Sequence, residues 1–298
     1  MASGRSFGRR HVAWWFVAPA LLVIGVFFVL PVAAALAISL TDFDIYALAD
    51  LSNLRIVGFR NYVELLQRPL FWQALGNTLY FVVVGVPLSL GASLGAALLL
   101  NSKLARFRAF FRTALFAPVV TTVVAVAVIW RYLLATRDGW LNYALGAIGI
   151  APIDWLGDPR FAMPAIILFA VWKNFGYNMV ILLAGLQNIP EEIYEAARID
   201  GASAFERFRY VTLPMLAPIL SIVAILTVAG YFQLFAEPYV MTQGGPLQST
   251  LSVLYLMYEE GFKWWNLGSA SAVAFLLFVL IFGVTLLQTR AARGQLPS

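Results

Sequence analysis

The sequence predicts an all-α membrane protein with six transmembrane helices and both termini on the cytoplasmic side. Three observations predict it. Of 298 residues, 61% are hydrophobic and only 12% charged, against about 25% charged in an ordinary soluble domain. Six apolar runs each reach the roughly 20 residues that a helix needs to cross a bilayer. Lys and Arg concentrate in alternate connections between those runs, on the side that stays in the cytoplasm.

In chain order, residues 1–12 form a short basic cytoplasmic segment with Arg5, Arg9 and Arg10. The first run, 13–40, is too long for a signal-peptide core and shows no small-residue cleavage site, so it reads as a retained helix. The single histidine, His11, reads as a polar residue at the start of that helix. Residues 42–73 mix polar and aromatic side chains, including Gly58-Phe-Arg-Asn-Tyr62, and predict short amphipathic helices on the membrane surface. Further spans are expected at 75–99, 109–134, 161–186, 215–236 and 267–289. They must be helices, because lipid offers no partners to their backbone groups. Pro87, Pro118 and Pro164 predict kinks or ends. Gly91 and Gly95 form a G-x-x-x-G in the second span, which predicts close helix packing. The chain divides into 1–12, a first span with its external loop at 13–73, a core at 74–289 and a cytoplasmic tail at 290–298.

Orientation follows from the connections. The N-terminus, 101–113, 187–214 and the tail hold twelve Lys and Arg, and the alternate loops 42–73, 135–160 and 237–266 hold six. Those same alternate loops carry ten of the fifteen acidic residues. The positive-inside rule puts both termini and the loop 187–214 in the cytoplasm.

That loop, from Asn188 to Pro218, is the longest charge-rich stretch between two spans. Pro190 suits the first turn of a helix, and Glu191, Glu192 and Glu195 sit near its positive end. Gly201 suits the left-handed residue that closes a helix. Ser203 and Glu206 have the spacing of a capping box that opens a second helix. Pro214 disfavours helix at Leu213, so a stop or kink is expected there. Ala196 and Ala197 leave little bulk, which suits close approach by a partner; a solvated helical loop is the plainer alternative.

Several chemistries are excluded. There is no cysteine and one histidine, so no thiolate site and no histidine-based metal cluster. G-x-x-x-x-G-K-[ST] and H-E-x-x-H are missing. No catalytic residue, metal ligand or bound cofactor is expected on this chain, and the basic balance follows the membrane topology rather than nucleic acid.

Polar and aromatic groups inside spans mark candidate solute contacts. The fourth span offers Trp172-Lys173-Asn174-Phe175-Gly176-Tyr177-Asn178 and the fifth offers Thr227, Gly230, Tyr231 and Gln233. Amides and hydroxyls bond to sugar hydroxyls, and aromatic faces cover the apolar faces of sugar rings. Asn174, Tyr177, Thr227, Tyr231 and Gln233 are the candidates, with Gly176 and Gly230 leaving room beside them. The structural alternative is bonding between neighbouring helices. For Lys173 a structural pair with Glu237 is favoured over contact with solute.

Glu195-Ala196-Ala197, then Gly201, then Val211-x-Leu213-Pro214 resembles the EAA loop of ABC-importer permeases, with Val211 where Ile is commoner. Gly58-Phe-x-Asn-Tyr62, Phe71-Trp-x-Ala-Leu-x-Asn-Thr78 and Met241-Thr-x-Gly-Gly-Pro-x-x-Ser-Thr250 resemble the carbohydrate branch of that family, of maltose-transporter type. The resemblance implies a type I ABC importer transmembrane domain in a bacterial inner membrane. It implies that Glu195, Ala196, Ala197, Asp200, Gly201, Leu213 and Pro214 couple the loop 188–214 to a separate ATPase. It implies as partners a second permease subunit in a heterodimer, two ATPase subunits carrying ATP and Mg, and an external solute-binding protein. The solute implied is a sugar, oligosaccharide or related polyol. The first external connection, 42–73, has no large extra domain like that of the maltose permease. The rival readings are an ion-gradient-driven secondary transporter, disfavoured by the absence of mid-span Asp or Glu, and a non-transporting scaffold.

Overall fold

A computed structural model describes residues 6–102 and 106–293. The ends of the expected N-terminal segment and tail, and Lys103, lie outside the described residues. In chain order the helices are α1 (Ser6–Ile24), α2 (Leu30–Ser39), α3 (Ile45–Ala49), α4 (Arg60–Gln67), α5 (Pro69–Asn101), α6 (Arg108–Val120), α7 (Val123–Leu133) and α8 (Trp140–Gly146). Then come α9 (Pro159–Gln187), α10 (Glu191–Ile199), α11 (Ala204–Arg207), α12 (Leu213–Tyr231), α13 (Ala236–Met241), α14 (Val253–Tyr258) and α15 (Leu267–Arg293).

Five helical stretches are long and apolar enough to cross a membrane: Trp14–Ser39, Pro69–Asn101, Pro159–Gln187, Ala204–Tyr231 and Leu267–Ala292. The sixth expected span, 109–134, is not one straight helix. It is the pair α6 and α7, bent by 100° at Thr121 and Thr122. Pro118 lies in the last turn before this break, where its ring and missing N–H interrupt the helical ladder. Pro87 lies inside α5, which continues through it. Pro164 lies inside α9, beyond its first turn, and the helix continues through it.

The chain divides into two compact units: Met1–Gln67 with Met257–Phe275, and Arg68–Leu256 with Leu276–Ser298. In the first, a π-helical turn, Gly25–Val29, joins α1 to α2. The Gly58–Tyr62 motif closes the end of this span. Asn61 Nδ2 donates to Ser39 O at 2.8 Å and Thr41 O at 2.7 Å, and the Tyr62 and Ser39 hydroxyls are 2.7 Å apart. Gly58 has a φ of +60°, which glycine takes without a steric cost.

The second unit is built on α5, α9 and α12. Met179, Leu182, Leu186 and Leu216 are buried together with Ala97 and Val223. Close approach falls at Gly176 and Gly185, not at Gly91 and Gly95. A Cβ on Gly176 would lie 2.3 Å from Leu115 O, and one on Gly185 would lie 2.7 Å from Ile219 Cδ1. A Cβ on Gly91 or Gly95 meets nothing within 4 Å, so that pair makes no close contact among the described residues.

The two remaining sequence motifs lock one loop. Asn77 Nδ2 donates to Gln248 O at 2.8 Å and Leu251 O at 2.9 Å, and the Thr78 hydroxyl accepts Val253 N–H at 3.0 Å. Within the loop, the Thr242 and Thr250 hydroxyls are 2.7 Å apart and Thr250 donates to Gly245 O at 2.8 Å.

Candidate functional site

Helical spacing puts Asn174, Tyr177 and Asn178 on one face of α9, and Thr227, Gly230 and Tyr231 on one face of α12. These faces meet around a cavity of about 340 Å³, completed by Phe81, Val119, Leu226, Gln233, Leu234 and Glu237. All five solute-contact candidates line it.

Their surroundings differ. Thr227 is buried and already engaged: its hydroxyl donates to Val223 O at 2.7 Å and accepts Asn178 Nδ2 at 3.0 Å. This pair joins α9 to α12. Asn174 Nδ2 donates to Ala170 O at 2.9 Å and Gln233 Nε2 to Ala229 O at 3.0 Å. Those bonds fix both amides and direct their carbonyl oxygens elsewhere. Tyr177 is half exposed. The Tyr231 ring stacks on Phe81 with centroids 4.9 Å apart, while its buried hydroxyl lies near Ser89 and Asn174 without a hydrogen bond to either. A buried hydroxyl left this way is costly unless a ligand or water meets it.

The two glycines expected to leave room behave differently. Gly230 opens on the cavity, with nothing within 4 Å of an added Cβ. The space at Gly176 is filled by the α6 backbone. Trp172 is also diverted, packing against Trp130 and Phe169 between α7 and α9.

Lys173 does not form the expected direct pair. Its Nζ donates to Val119 O at 3.2 Å, and Glu237 acts on it only from longer range. Val119 is in the final turn of α6, where carbonyls lack helical partners and a cation is favourable. Lys173 therefore caps the broken helix. Glu237, expected in an external loop, instead lines the cavity from α13. Its protein surroundings push its carboxyl above the ordinary value, since burial disfavours the charge.

The second candidate site is the loop 188–214. Glu191–Ile199 is helical, Asp200 caps it, and Gly201 takes a φ of +81°. Both capping-box bonds are present: Ser203 N–H to Glu206 Oε2 at 2.7 Å and Glu206 N–H to Ser203 Oγ at 3.3 Å. Glu195 and Ala196 are exposed and Ala197 is half-buried. Of the stop or kink expected at Leu213, the stop does not occur. Phe208–Thr212 form a π-helical turn that runs directly into α12, with Leu213 N–H bonded to Phe208 O. This widened turn absorbs the irregularity that Pro214 imposes. Ile189 packs into the α5–α9–α12 core, and the Tyr194 hydroxyl lies 2.9 Å from the Thr212 hydroxyl. The exposed helix α10 is thus tied by a short polar link to the base of α12.

Residues 88–295 match the family described as binding-protein-dependent transport system inner membrane component. The chain belongs to that family. This permease is 39% identical over 301 residues to the lactose transport system permease protein LacF of Rhizobium radiobacter, covering 98% of this chain and 99% of LacF. It is 35% identical to the trehalose/maltose transport system permease protein MalF of Thermococcus litoralis, over 98% and 97% of the two chains. Its fold is that of a chain in a bacterial ABC transporter involved in the import of the acidic polysaccharide alginate, with a TM-score of 0.83, 20% identity and 97% of each chain covered. The permease is a multi-pass inner-membrane subunit of an ABC importer, not a secondary transporter and not an enzyme.

Sequence reading missed Phe81 and Gly85, and it named Glu237 only as a partner for Lys173, not as part of the cavity wall. Phe81 and Gly85 lie one turn apart on α5, and a Cβ on Gly85 would stand 2.7 Å from Tyr231 Cε1. A glycine one turn from an aromatic was the available signal. The place of Glu237 on the cavity was not legible, because it depends on α13 turning back toward α7 and α9.

Proposed function

We propose that this permease carries a sugar, oligosaccharide or related polyol through the cavity between α9 and α12, by alternating access. The observation that carries the reading is the convergence of Asn174, Tyr177, Thr227, Tyr231 and Gln233 on one cavity. Amides, a stacked phenol and an open glycine face suit a hydroxyl-rich ring. The names of LacF and MalF, both sugar permeases, support the same solute class. Within this set Asn174, Tyr177, Tyr231 and Gln233 contact solute, while Thr227 holds the wall.

The loop 188–214 faces the cytosol and docks on a separate ATPase through Glu195, Ala196, Ala197, Asp200 and Gly201. Leu213 and Pro214 join the loop to α12. ATP and Mg bind that ATPase, present in two copies. A second permease subunit completes the pathway as a heterodimer, and an external binding protein delivers the solute. ATP drives the cycle only by favouring one conformation over the other.

The test is uptake of labelled disaccharide by the reconstituted transporter. Asn174→Ala and Gln233→Ala each remove a cavity hydrogen bond of about 1 kcal/mol, so about a fivefold rise in KM or fall in rate is expected with assembly intact. Unchanged solute kinetics in both variants contradict the assignment.

A further inference from the structure

A second cavity, of about 570 Å³, lies at the ends of the spans and is lined by Arg108, Arg198 and Arg207. We propose that it binds a phosphate group, and that the phosphate is the headgroup of an anionic lipid. Three observations support this.

The first is position. The cavity is bounded by Asn101 at the end of α5, Arg108 at the start of α6 and Gln187 at the end of α9. Two candidate spans end there and α6 begins there, and the ends of spans are where lipid headgroups sit. The floor is apolar, with Leu186 and Ile189 buried.

The second is charge. Three guanidiniums face one carboxylate, Glu191. The Arg198–Glu191 pair is long, at 3.8 Å, with side chains 47% and 56% exposed, and three guanidiniums against this one lining carboxylate leave the lining net positive. Basic pockets between membrane helices on the cytoplasmic side suit anionic headgroups.

The third is preorganisation. Arg108 donates to Ser102 O at 2.7 Å, Arg198 Nε to Tyr194 O at 3.2 Å and Arg207 to Ala202 O. A guanidinium has five N–H donors, so one carbonyl bond places it and leaves its fork for phosphate. A phosphate held here joins the start of α6 to the loop 188–214.

The test is native mass spectrometry of the full chain released from micelles with equal phosphatidylglycerol and phosphatidylcholine. Preferential retention of phosphatidylglycerol is expected. The preference should fall about fivefold for each arginine removed in Arg108→Gln, Arg207→Gln and the double variant. Arg55→Gln/Arg137→Gln, with the same change of net charge elsewhere, should keep it. Arg108→Lys/Arg207→Lys should keep part of it, which separates site loss from misfolding; matched gel-filtration elution checks the fold of each variant. Equal retention of the two lipids by the wild type, or a preference that survives Arg108→Gln/Arg207→Gln, overturns the proposal. Displacement of the lipid by millimolar inorganic phosphate would assign the site to a free anion and overturn the lipid assignment.

Discussion

Tyr231 shows how single residues shape the cavity. Its ring lies on Phe81 and fits only because Gly85 has no side chain. Gly85→Val is therefore expected to push the ring toward the cavity and to lower disaccharide uptake at least several-fold, without loss of membrane insertion. Uptake kinetics beside a membrane-fraction blot check this, and wild-type kinetics would remove Gly85 from the account. Asn178 and Thr227 behave differently, since each serves the other. Asn178→Ala leaves the Thr227 hydroxyl without its buried donor, so a loss of about 1–3 kcal/mol in stability is expected, seen as a lower Tm in detergent. At this scale the sequence was a partial guide. Polar groups on one face of α9 and α12 were visible from spacing, but not which were committed to each other. Burial and partner choice depend on neighbouring helices, as with Lys173, which bonds to Val119 O rather than to Glu237.

The element proposed to couple to the ATPase is α10 with its two ends. Its closing glycine and the Ser203–Glu206 box were legible because caps are local chemistry, set within four residues. The continuation through Pro214 was not legible. Leu213 keeps a helical φ of −63° and ψ of −45° although it precedes proline, because the π-helical turn Phe208–Thr212 relieves the crowding. The bend between α6 and α7 was foreshadowed by Pro118, but its size reflects tertiary packing against α9. The Tyr194–Thr212 link is a short polar route from α10 to the residue preceding α12. Tyr194→Phe should retain ATP hydrolysis by the assembled transporter while lowering solute imported per ATP by about fivefold, the value of one lost hydrogen bond near 1 kcal/mol. An unchanged ratio contradicts a coupling role for the link.

Across the whole molecule, the span count and the helical class were legible from apolar runs of bilayer length. The motifs carried less direct information about function than about folding. Asn61, Asn77, Thr78 and Thr250 act as locks on loops that meet the spans. A cavity lies between α9 and α12, and the exposed helix α10 precedes the continuous helical stretch from Ala204 to Tyr231.

The most direct test is ATP-driven uptake of labelled solute into proteoliposomes containing the complete transporter, comparing wild type with Gly201→Pro. A φ of +81° at Gly201 is closed to proline, whose ring holds φ near −65°. The account predicts that wild-type uptake requires ATP inside the vesicles and that Gly201→Pro inserts normally but does not import. Wild-type rates in Gly201→Pro, or import driven by an ion gradient without ATP, would contradict it.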